Sequence, residues 1–240
     1  MPSIRAITLD LDDTLWPVQP ALEQADLAVD AWLREHWPAV AARWPVPALR
    51  RLREEVARSR PDLAHDFSAQ RRLTLERAFA ACGVHEPPVE AAWAVYFAAR
   101  NAVRPYPDSH PALARLAGRL PLASLTNGNA DLRLTGLEAH FRHHVCAREV
   151  GCAKPDPRIF HVAARRLGVA PDELLHVGDD PWHDVHGARA AGLHCAWINR
   201  DGRPWPASLG EPPAWVFADL AGLTAWLDRQ LAAPSAPGAT

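Results

Sequence analysis

The sequence of 240 residues has little cysteine, a single lysine and no long apolar run. Its four cysteines are scattered without a CxxC pair, which argues against a disulfide framework or a zinc site and favours free thiols in a reducing cytoplasm. No stretch approaches the ~20 apolar residues that a membrane-spanning helix needs. The chain does not begin with a basic segment followed by an apolar one, so we expect no signal peptide and a cytoplasmic location.

The formal net charge is only -2, and no long block of one sign occurs. Neither nucleic acid nor an anionic membrane is therefore an expected partner. Twelve histidines are present without HxH or HExxH spacing, so the sequence does not predict metal ligation by histidine. The length suits one large domain, or a core domain with a smaller one, and 48% apolar residues are enough to bury a sizeable core.

Lys154 is the single lysine, and all the other residues counted as lysine or arginine are arginine. Lysine presents a compact ammonium on a flexible stem, whereas arginine presents a wide planar fork. This chain uses arginine almost everywhere that either cation would serve. One retained lysine therefore indicates a position where the planar guanidinium does not fit. Chance is the competing explanation, and the neighbouring motifs decide between the two.

Hydrophobic spacing predicts a short strand at the start of the chain, a long helical insert, and then strands alternating with helices. The first strand runs over 4–9. The insert contains helices near 21–37, 46–59, 67–82 and 88–100, with Ser68 as an N-cap of the third. Further strands are predicted at 121–125, 144–147, 174–177 and 194–198, and further helices at 157–167, 181–191 and 219–231.

This alternation predicts an α/β fold with a doubly wound parallel sheet and an inserted helical unit. Ligands of such sheets bind at the carboxyl ends of the strands. Polar clusters follow three predicted strands, at 10–13, 126–129 and 179–184, and Lys154 stands in a loop just before a helix. We therefore expect the four groups to meet at one edge of the sheet.

Carboxylates of Asp10, Asp12 and Asp179 brought together would repel one another, and a divalent cation relieves such repulsion. All-oxygen ligation is typical of Mg²⁺, which binds one or two carboxylates together with a phosphate. An acidic cluster at a strand end also occurs as a simple turn or helix cap. Two such clusters together with the single lysine favour the magnesium site.

One residue separates Asp10 from Asp12, so both side chains can face one site. One carboxylate can then attack phosphorus and form an aspartyl phosphate, while the other donates a proton to the leaving oxygen. Lys154, the Thr126 hydroxyl and backbone N–H groups near Asn127 can neutralise the phosphoryl oxygens. Thr126 alone also fits a helix cap, and Asn127-Gly128 alone a plain turn.

After the 174–177 strand, Asp179 directly follows Gly178 and is the first choice as a metal ligand. Asp184, five residues later, is placed to orient metal-bound water or to hold Lys154. Asp180 is an alternative to either, and the spacing alone does not choose between them.

Together these motifs resemble those of the haloacid dehalogenase (HAD) superfamily: Asp10-Leu-Asp12-Asp-Thr14, Thr126-Asn-Gly128, Lys154-Pro-Asp156 and Gly178-Asp179-x4-Asp184. They occur in the expected order and cover almost the whole chain. The resemblance implies a Rossmannoid core of 1–15 and 105–231 and a helical C1 cap of 16–104. The tail 232–240, rich in Ala, Pro, Ser and Gly, is expected to be disordered.

The resemblance also assigns roles. It implies that Asp10 is the nucleophile and Asp12 the acid/base, that Thr126, Asn127 and Lys154 bind phosphate, and that Asp10, Asp179 and the backbone carbonyl of Asp12 bind Mg²⁺, with Asp184 supporting them. The expected partner is a small-molecule phosphate monoester.

Three further stretches, Pro61–Arg72, Thr126–Ala130 and Leu175–Asp180, are similar to bacterial phosphatases that act on FMN and on 5-amino-6-(5-phospho-D-ribitylamino)uracil. Polar cap residues that are candidates for facing the substrate are His65, Asp66, Arg71 and Arg72, although arginine on a helix more often covers a solvated face.

Several alternatives share parts of this pattern. A haloacid dehalogenase needs the nucleophile but no metal, and Asp12 and Asp179 argue against it. A sugar-phosphate mutase shares Asp12 and a similar cap, and a catalytically silent binding protein of the same fold stays open. A receiver-type signalling module is about half this length and carries its aspartate on a middle strand, whereas Asp10 follows the first.

Overall fold

The computed structural model describes residues 3–232 of the chain, so positions 233–240 of the expected tail lie outside the described residues. The helices are α1 (Val18–His36), α2 (Pro38–Arg43), α3 (Val46–Ser59), α4 (Phe67–Ala80), α5 (Val89–Asn101), α6 (Ser109–Ala117), α7 (Ala147–Val150), α8 (Pro157–Leu167), α9 (Gly187–Ala190) and α10 (Leu220–Ala232). The strands are β1 (Ala6–Leu9), β2 (Leu122–Thr126), β3 (His143–Cys146), β4 (Leu174–Gly178), β5 (His194–Ile198) and β6 (Trp215–Phe217). A π-helical segment, Pro181–His186, leads into α9.

Within the described residues, one sheet of six parallel strands has the order β3-β2-β1-β4-β5-β6. β1, β2 and β4 are buried along their whole length, as expected for parallel strands covered on both faces. The predicted α/β doubly wound fold is confirmed. The chain reverses its direction of travel across the sheet between β1 and β4, which is where ligands bind in such folds.

Two apolar clusters cover the two faces of this sheet. One contains side chains of α6 and α10, including Leu113, Leu116 and Leu223. The other contains side chains of α8 and α9, including Ile159 and Phe160. Burial on both faces fixes the register of the central strands, and with it the positions of the residues that follow each strand.

Helices α1 to α5 pack around a third apolar cluster of their own, which includes Val29, Leu33, Phe79 and Trp93. This arrangement agrees with a separate helical unit, while the boundaries of the proposed cap at 16 and 104 stay a prediction. No helix among residues 3–232 combines the length and the apolar character needed to cross a membrane.

Several local predictions need correction. Asp66, rather than Ser68, is the N-cap of α4, and its side chain accepts the N–H of Ala69 at 2.9 Å. The chain turns into the helix two residues earlier than predicted, which leaves Ser68 buried inside the first turn. The short elements α2, α6 and β6 were not predicted, because such brief segments have weak hydrophobic periodicity.

The N-terminus of α8 has the capping predicted for it. The Asp156 side chain accepts the N–H of Arg158 at 2.9 Å, Pro157 takes the first helical position, and Gly168 ends the helix with a φ of 68°. This well-defined start of the helix holds the preceding loop, and therefore Lys154, against the carboxyl edge of the sheet.

Candidate active site

Asp10 and Asp179 directly follow two hydrogen-bonded strands, β1 and β4, in which Leu9 pairs with Val177. The register therefore brings both carboxylates to the same point of the sheet edge. Asp184, which enters from the π-helical segment, joins them, and each of the three offers a carboxylate oxygen within 4.8 Å of the others. The sequence predicted that the carboxylates of Asp10, Asp12 and Asp179 converge, whereas this cluster contains Asp184 in place of Asp12, whose carboxylate contacts Arg100 and Trp16.

Lys154 occupies the centre of this cluster. Its Nζ donates to Oδ1 of Asp10 and to Oδ1 of Asp184, at 2.6 Å each, and the residue is only 4% exposed. Burial lowers the pKa of Lys154, but the charges of Asp10 and Asp184 outweigh it, and the net pKa lies above its ordinary value. The lysine is therefore a fixed positive charge between two carboxylates.

Asn127 clamps the backbone of the lysine from the end of β2. Its Oδ1 accepts the Lys154 N–H at 2.7 Å, and its Nδ2 donates to the Lys154 carbonyl at 3.0 Å. Because this pair engages the whole amide, contact between Asn127 and a phosphate would have to come from its backbone. The side chain of Asn127 thus sets the position of the lysine.

Asp184 is supported from behind by His176, a residue of β4 that the sequence analysis did not single out. His176 Nε2 lies 3.0 Å from Asp184 Oδ1, and its Nδ1 lies 2.9 Å from the Thr8 hydroxyl. Since a carboxylate only accepts, Nε2 carries the proton and Nδ1 accepts from Thr8. Burial lowers the pKa of His176, which keeps the ring neutral.

Asp184 is also the acid that binds the lysine. Burial raises its pKa, but the Lys154 charge and the His176 hydrogen bond outweigh that effect, so its net pKa lies well below the ordinary value. Asp180 has a different environment: its Oδ1 accepts the N–H groups of Trp182 and His183 at 2.8 and 2.7 Å, which caps the π-helical segment. Asp184 and not Asp180 therefore points into the cluster.

The electrostatics of the cluster fit a hard cation. Burial raises the pKa of Asp10 well above its usual range despite the opposing charge of Lys154. Burial, and then the charge of Asp184, raise the pKa of Asp179 to about 7. Three close carboxylates facing one ammonium leave an excess of negative charge, which an oxygen-liganded divalent cation such as Mg²⁺ would neutralise.

The Thr14 hydroxyl lies near both Asp10 and Asp179. Its hydroxyl is 3.1 Å from Asp179 Oδ1 and 3.4 Å from Asp10 Oδ2. A single hydroxyl proton can serve only one acceptor at a time, so Oδ2 of Asp10 is the least occupied carboxylate oxygen of the nucleophile candidate.

Asp12 has a separate set of partners. Arg100, at the end of α5, brings one nitrogen to 2.7 and 2.6 Å from the two Asp12 oxygens, and Trp16 Nε1 donates to Oδ1 at 2.8 Å. Sequence reasoning missed Arg100, which lies 88 residues from Asp12 in a helix rich in apolar residues.

Thr126, the last residue of β2, and Gly128, in the loop that follows it, lie beside the Asp12 carboxylate. Thr126 Oγ1 accepts the Gly128 N–H at 2.9 Å, which leaves the hydroxyl proton available for a phosphate oxygen. A Cβ on Gly128 would lie 2.5 Å from Asp12 Oδ2, and one on Gly178 would lie 2.2 Å from Asp184 Cγ. Glycine is therefore required at both positions for these acids to approach the backbone so closely.

A cavity of about 580 Å³ opens above the cluster and extends between the sheet edge and the helical insert. Its insert side is lined by Leu22, Arg53, Phe67, Gln70, Arg71 and Tyr96. Volumes of roughly 300–1,000 Å³ are typical of small-molecule sites.

The four polar residues of the insert that were candidates for facing the substrate lie in different surroundings. Arg71 lines this cavity, but its guanidinium is engaged by Asp26 at 3.0 Å and by the Tyr96 hydroxyl at 2.9 Å. Arg72 pairs with Glu90 at the surface. His65 and Asp66 line a neighbouring cavity of about 310 Å³.

The comparisons with known proteins agree with this architecture. Residues 4–192 match the family of haloacid dehalogenase-like hydrolases. The 5-amino-6-(5-phospho-D-ribitylamino)uracil phosphatase YigB of Escherichia coli is 32% identical over 229 residues, which cover 92% of this chain and 95% of that protein. A glyceraldehyde 3-phosphate phosphatase of Methanopyrus kandleri is 30% identical over 82% of this chain and 84% of its own length.

Among solved structures, a 2-haloacid dehalogenase from Pseudomonas syringae pv. Tomato DC3000 superposes with a TM-score of 0.87 at 35% identity and covers 95% of this chain and 99% of its own. Phosphatases and dehalogenases thus both stand among the relatives. The chain belongs to the haloacid dehalogenase-like hydrolases.

Proposed function

We propose that this protein is a Mg²⁺-dependent phosphatase that hydrolyses small-molecule phosphate monoesters through an aspartyl phosphate on Asp10. The observation that supports this most is the buried cluster in which Lys154 joins Asp10 to Asp184 while Asp179 stands beside them. A cation and an ammonium beside one nucleophilic carboxylate suit an anionic phosphoryl group. The two phosphatases that are similar over most of this chain support the same reaction class.

The first step transfers the phosphoryl group to the protein. Oδ2 of Asp10 forms a bond to phosphorus while the bond between phosphorus and the ester oxygen breaks, and Asp12 gives its proton to the departing oxygen. Lys154 binds Oδ1 of Asp10, which holds the carboxylate still and leaves Oδ2 for the attack. The Thr126 hydroxyl is placed to donate to a phosphoryl oxygen.

The second step returns the nucleophile to its starting state. Asp12, now ionised, takes a proton from water, and the water oxygen bonds to phosphorus as the bond to Asp10 breaks. Inorganic phosphate leaves, and Asp12 is protonated again. We propose that Asp10, Asp179 and the backbone carbonyl of Asp12 hold Mg²⁺, which supplies positive charge beside the phosphoryl oxygens, and that Asp184 keeps Lys154 in place.

The substrate we propose is FMN or 5-amino-6-(5-phospho-D-ribitylamino)uracil. The Escherichia coli relative is a phosphatase of the second compound. Leu22, Phe67 and Tyr96 line the insert side of the cavity, and this apolar and aromatic surface suits a planar heterocycle on a polar chain. The four cysteines are free thiols, which suits the cytoplasmic location that we propose.

Phosphate release from FMN, the ribitylamino-uracil phosphate, phosphoserine, sugar phosphates and nucleotides, with and without Mg²⁺, tests this proposal. We expect Mg²⁺-dependent release and its abolition in Asp10→Asn, by at least about 10³-fold, or roughly 4 kcal/mol in the barrier. Circular dichroism of the variant checks that the fold is intact. Wild-type turnover by Asp10→Asn would overturn the nucleophile.

A hydrolytic dehalogenase is the second candidate, because a 2-haloacid dehalogenase structure aligns with nearly the whole chain. The second acid Asp12 and the Asp10–Asp179–Asp184 cluster favour the phosphatase, since dehalogenation needs neither a second acid nor a cation. Chloride release from 2-chloropropionate that persists in EDTA, without phosphate release from any ester, would establish the dehalogenase instead.

A further inference from the structure

Arg100 joins three parts of the molecule that the proposed reaction must keep together. It is the penultimate residue of α5, the last helix of the insert, and is 1% exposed. One guanidinium nitrogen, NH2, contacts both oxygens of Asp12. Nε donates to Oδ1 of Asn129, which lies in the loop after β2, at 3.0 Å. A single buried side chain therefore spans from the insert to the proposed acid/base and to the phosphate loop.

The Asp12 carboxylate is held in one orientation by this contact. Arg100 approaches from the insert, and Trp16 Nε1 donates to Oδ1 from the core at 2.8 Å. The backbone of Gly128 packs so closely that a Cβ there would reach Asp12 Oδ2. The donors from Arg100 and Trp16, together with the close backbone of Gly128, define where the oxygens of Asp12 can point.

The third guanidinium nitrogen, NH1, is buried and has no partner among the described residues. Burying a charged donor without an acceptor is unfavourable, so residues with a purely structural role seldom keep one. Arg100 also lines the 580 Å³ cavity together with Asp12 and Thr126. A donor left over beside the substrate cavity suits an acceptor oxygen that arrives with the ligand.

We propose that Arg100 is the residue that positions Asp12 toward the leaving oxygen, and that it does so only when the helical insert is seated against the sheet edge. This inference rests on the phosphatase function proposed above and on the acid/base role of Asp12. The insert thereby completes the proton-transfer site as well as covering the substrate. Movement of α5 away from the core would withdraw the guanidinium from Asp12 and from Asn129 together.

Leaving-group dependence separates this role from a structural one. The leaving group of an alkyl phosphate such as FMN is a strongly basic alkoxide, which needs a proton from Asp12. The leaving group of p-nitrophenyl phosphate is a weakly basic phenolate, which departs with little need of a proton. Loss of a correctly placed Asp12 must therefore slow the alkyl ester selectively. A distorted fold or a damaged phosphate site would slow both esters alike.

The experiment compares kcat/KM for FMN and for p-nitrophenyl phosphate in wild type, Arg100→Gln, Arg100→Lys, Asp12→Asn and a control, Arg104→Gln. Arg104 is exposed in the connection that follows α5, and its substitution by glutamine removes the same charge as Arg100→Gln. We expect Arg100→Gln to lower kcat/KM by about 10²-fold on FMN and by less than about tenfold on p-nitrophenyl phosphate, as general acid catalysis predicts. Arg100→Lys, which cannot span Asp12 and Asn129 at once, should show a smaller loss with the same selectivity.

Equal losses on the two esters in Arg100→Gln and Arg100→Lys, while Asp12→Asn is selective, would overturn the role of Arg100 and leave the phosphatase proposal standing. Equal losses in Asp12→Asn itself would remove the acid role of Asp12, and with it this inference. If Arg100→Gln fails to fold, Arg100→Lys, which keeps the buried charge, decides the question by the same ratio.

Discussion

The Nζ atom of Lys154 lies 2.6 Å from Oδ1 of Asp10, although 144 residues separate them along the chain. The loop before α8 and the end of β1 bring them together, and Asp184 holds the same ammonium from the other side at 2.6 Å. Because the Lys154 ammonium is buried between two carboxylates, the space available to it is small. This contact agrees with the expectation that the single lysine occupies a position where arginine does not fit.

Lys154→Arg keeps the charge but should lower kcat by about 10²-fold or more, the usual cost of displacing one donor from a phosphoryl or oxyanion site. A guanidinium is wider than an ammonium and cannot point a single donor between Asp10 and Asp184 without moving one of them. Steady-state kinetics checks this, with Lys154→Met as the variant that also removes the charge. If Lys154→Arg matches wild type, the geometric explanation of the single lysine is wrong.

Mg²⁺ should stabilise the folded protein through Asp179. At a concentration of about 100 times its Kd, a ligand that binds only the folded state adds about 2.7 kcal/mol, which raises the Tm of a chain of this size by roughly 5–10 °C. We expect this rise in wild type and its absence in Asp179→Asn, because that variant loses a ligand.

The matched control for this measurement is Asp180→Asn, whose side chain caps the π-helical segment outside the cluster. Differential scanning fluorimetry with Mg²⁺ or EDTA should show the full magnesium shift in Asp180→Asn. A full shift in Asp179→Asn would place the cation elsewhere.

His144 should make the protein less stable below about pH 6.5. Burial lowers the pKa of this histidine, and its Nδ1 lies 2.6 Å from the Ser124 hydroxyl. The unfolded chain takes up a proton near the ordinary histidine pKa of about 6.5, while the folded protein does not, so the unfolded state binds more protons as the pH falls. The free energy of unfolding therefore decreases from pH 7 downward through this window.

Urea unfolding at pH 7.5, 6.5 and 5.5 measures this effect, and the slope against pH should be smaller in His144→Asn than in wild type. His140 and His176 have pKa values lowered by burial and contribute in the same direction, so the difference between the two proteins isolates His144. Identical slopes would contradict the assignment of a neutral, half-buried ring.

Arg53 is expected to select the leaving group. It lines the cavity, and the described residues offer its guanidinium no hydrogen bond or ion pair. Burial, and then the charge of Arg71, lower its pKa. Arg53→Gln should raise KM about tenfold or more for esters whose leaving group carries a carbonyl or anionic acceptor, the cost of one charge-assisted hydrogen bond.

FMN and p-nitrophenyl phosphate again provide the comparison, since the two esters share the phosphoryl group and differ in the leaving group. The control is Arg51→Gln, an exposed arginine of the same helix α3 that does not line the cavity. A KM for FMN that stays at the wild-type value in Arg53→Gln would remove this residue from the list of substrate contacts.

The order of strands and helices, and the residues that follow each strand, were predictable from the sequence. Parallel strands bring all their carboxyl ends to one edge, so Asp10, Thr126 and Asp179 had to converge once the sheet was predicted. Lys154 was recognisable because its residue type is unique in the chain and its helix has clear caps.

Only the tertiary structure identified the side chains that support the proposed catalytic residues through long-range hydrogen bonds. Arg100 reaches Asp12 across 88 residues, and His176 reaches Asp184 from inside a buried strand. Neither contact leaves a periodic pattern in the sequence, because each depends on where two separately packed elements meet. The choice between Asp180 and Asp184 also required the structure, because a local turn determines which carboxylate caps the π-helical segment and which one faces the lysine.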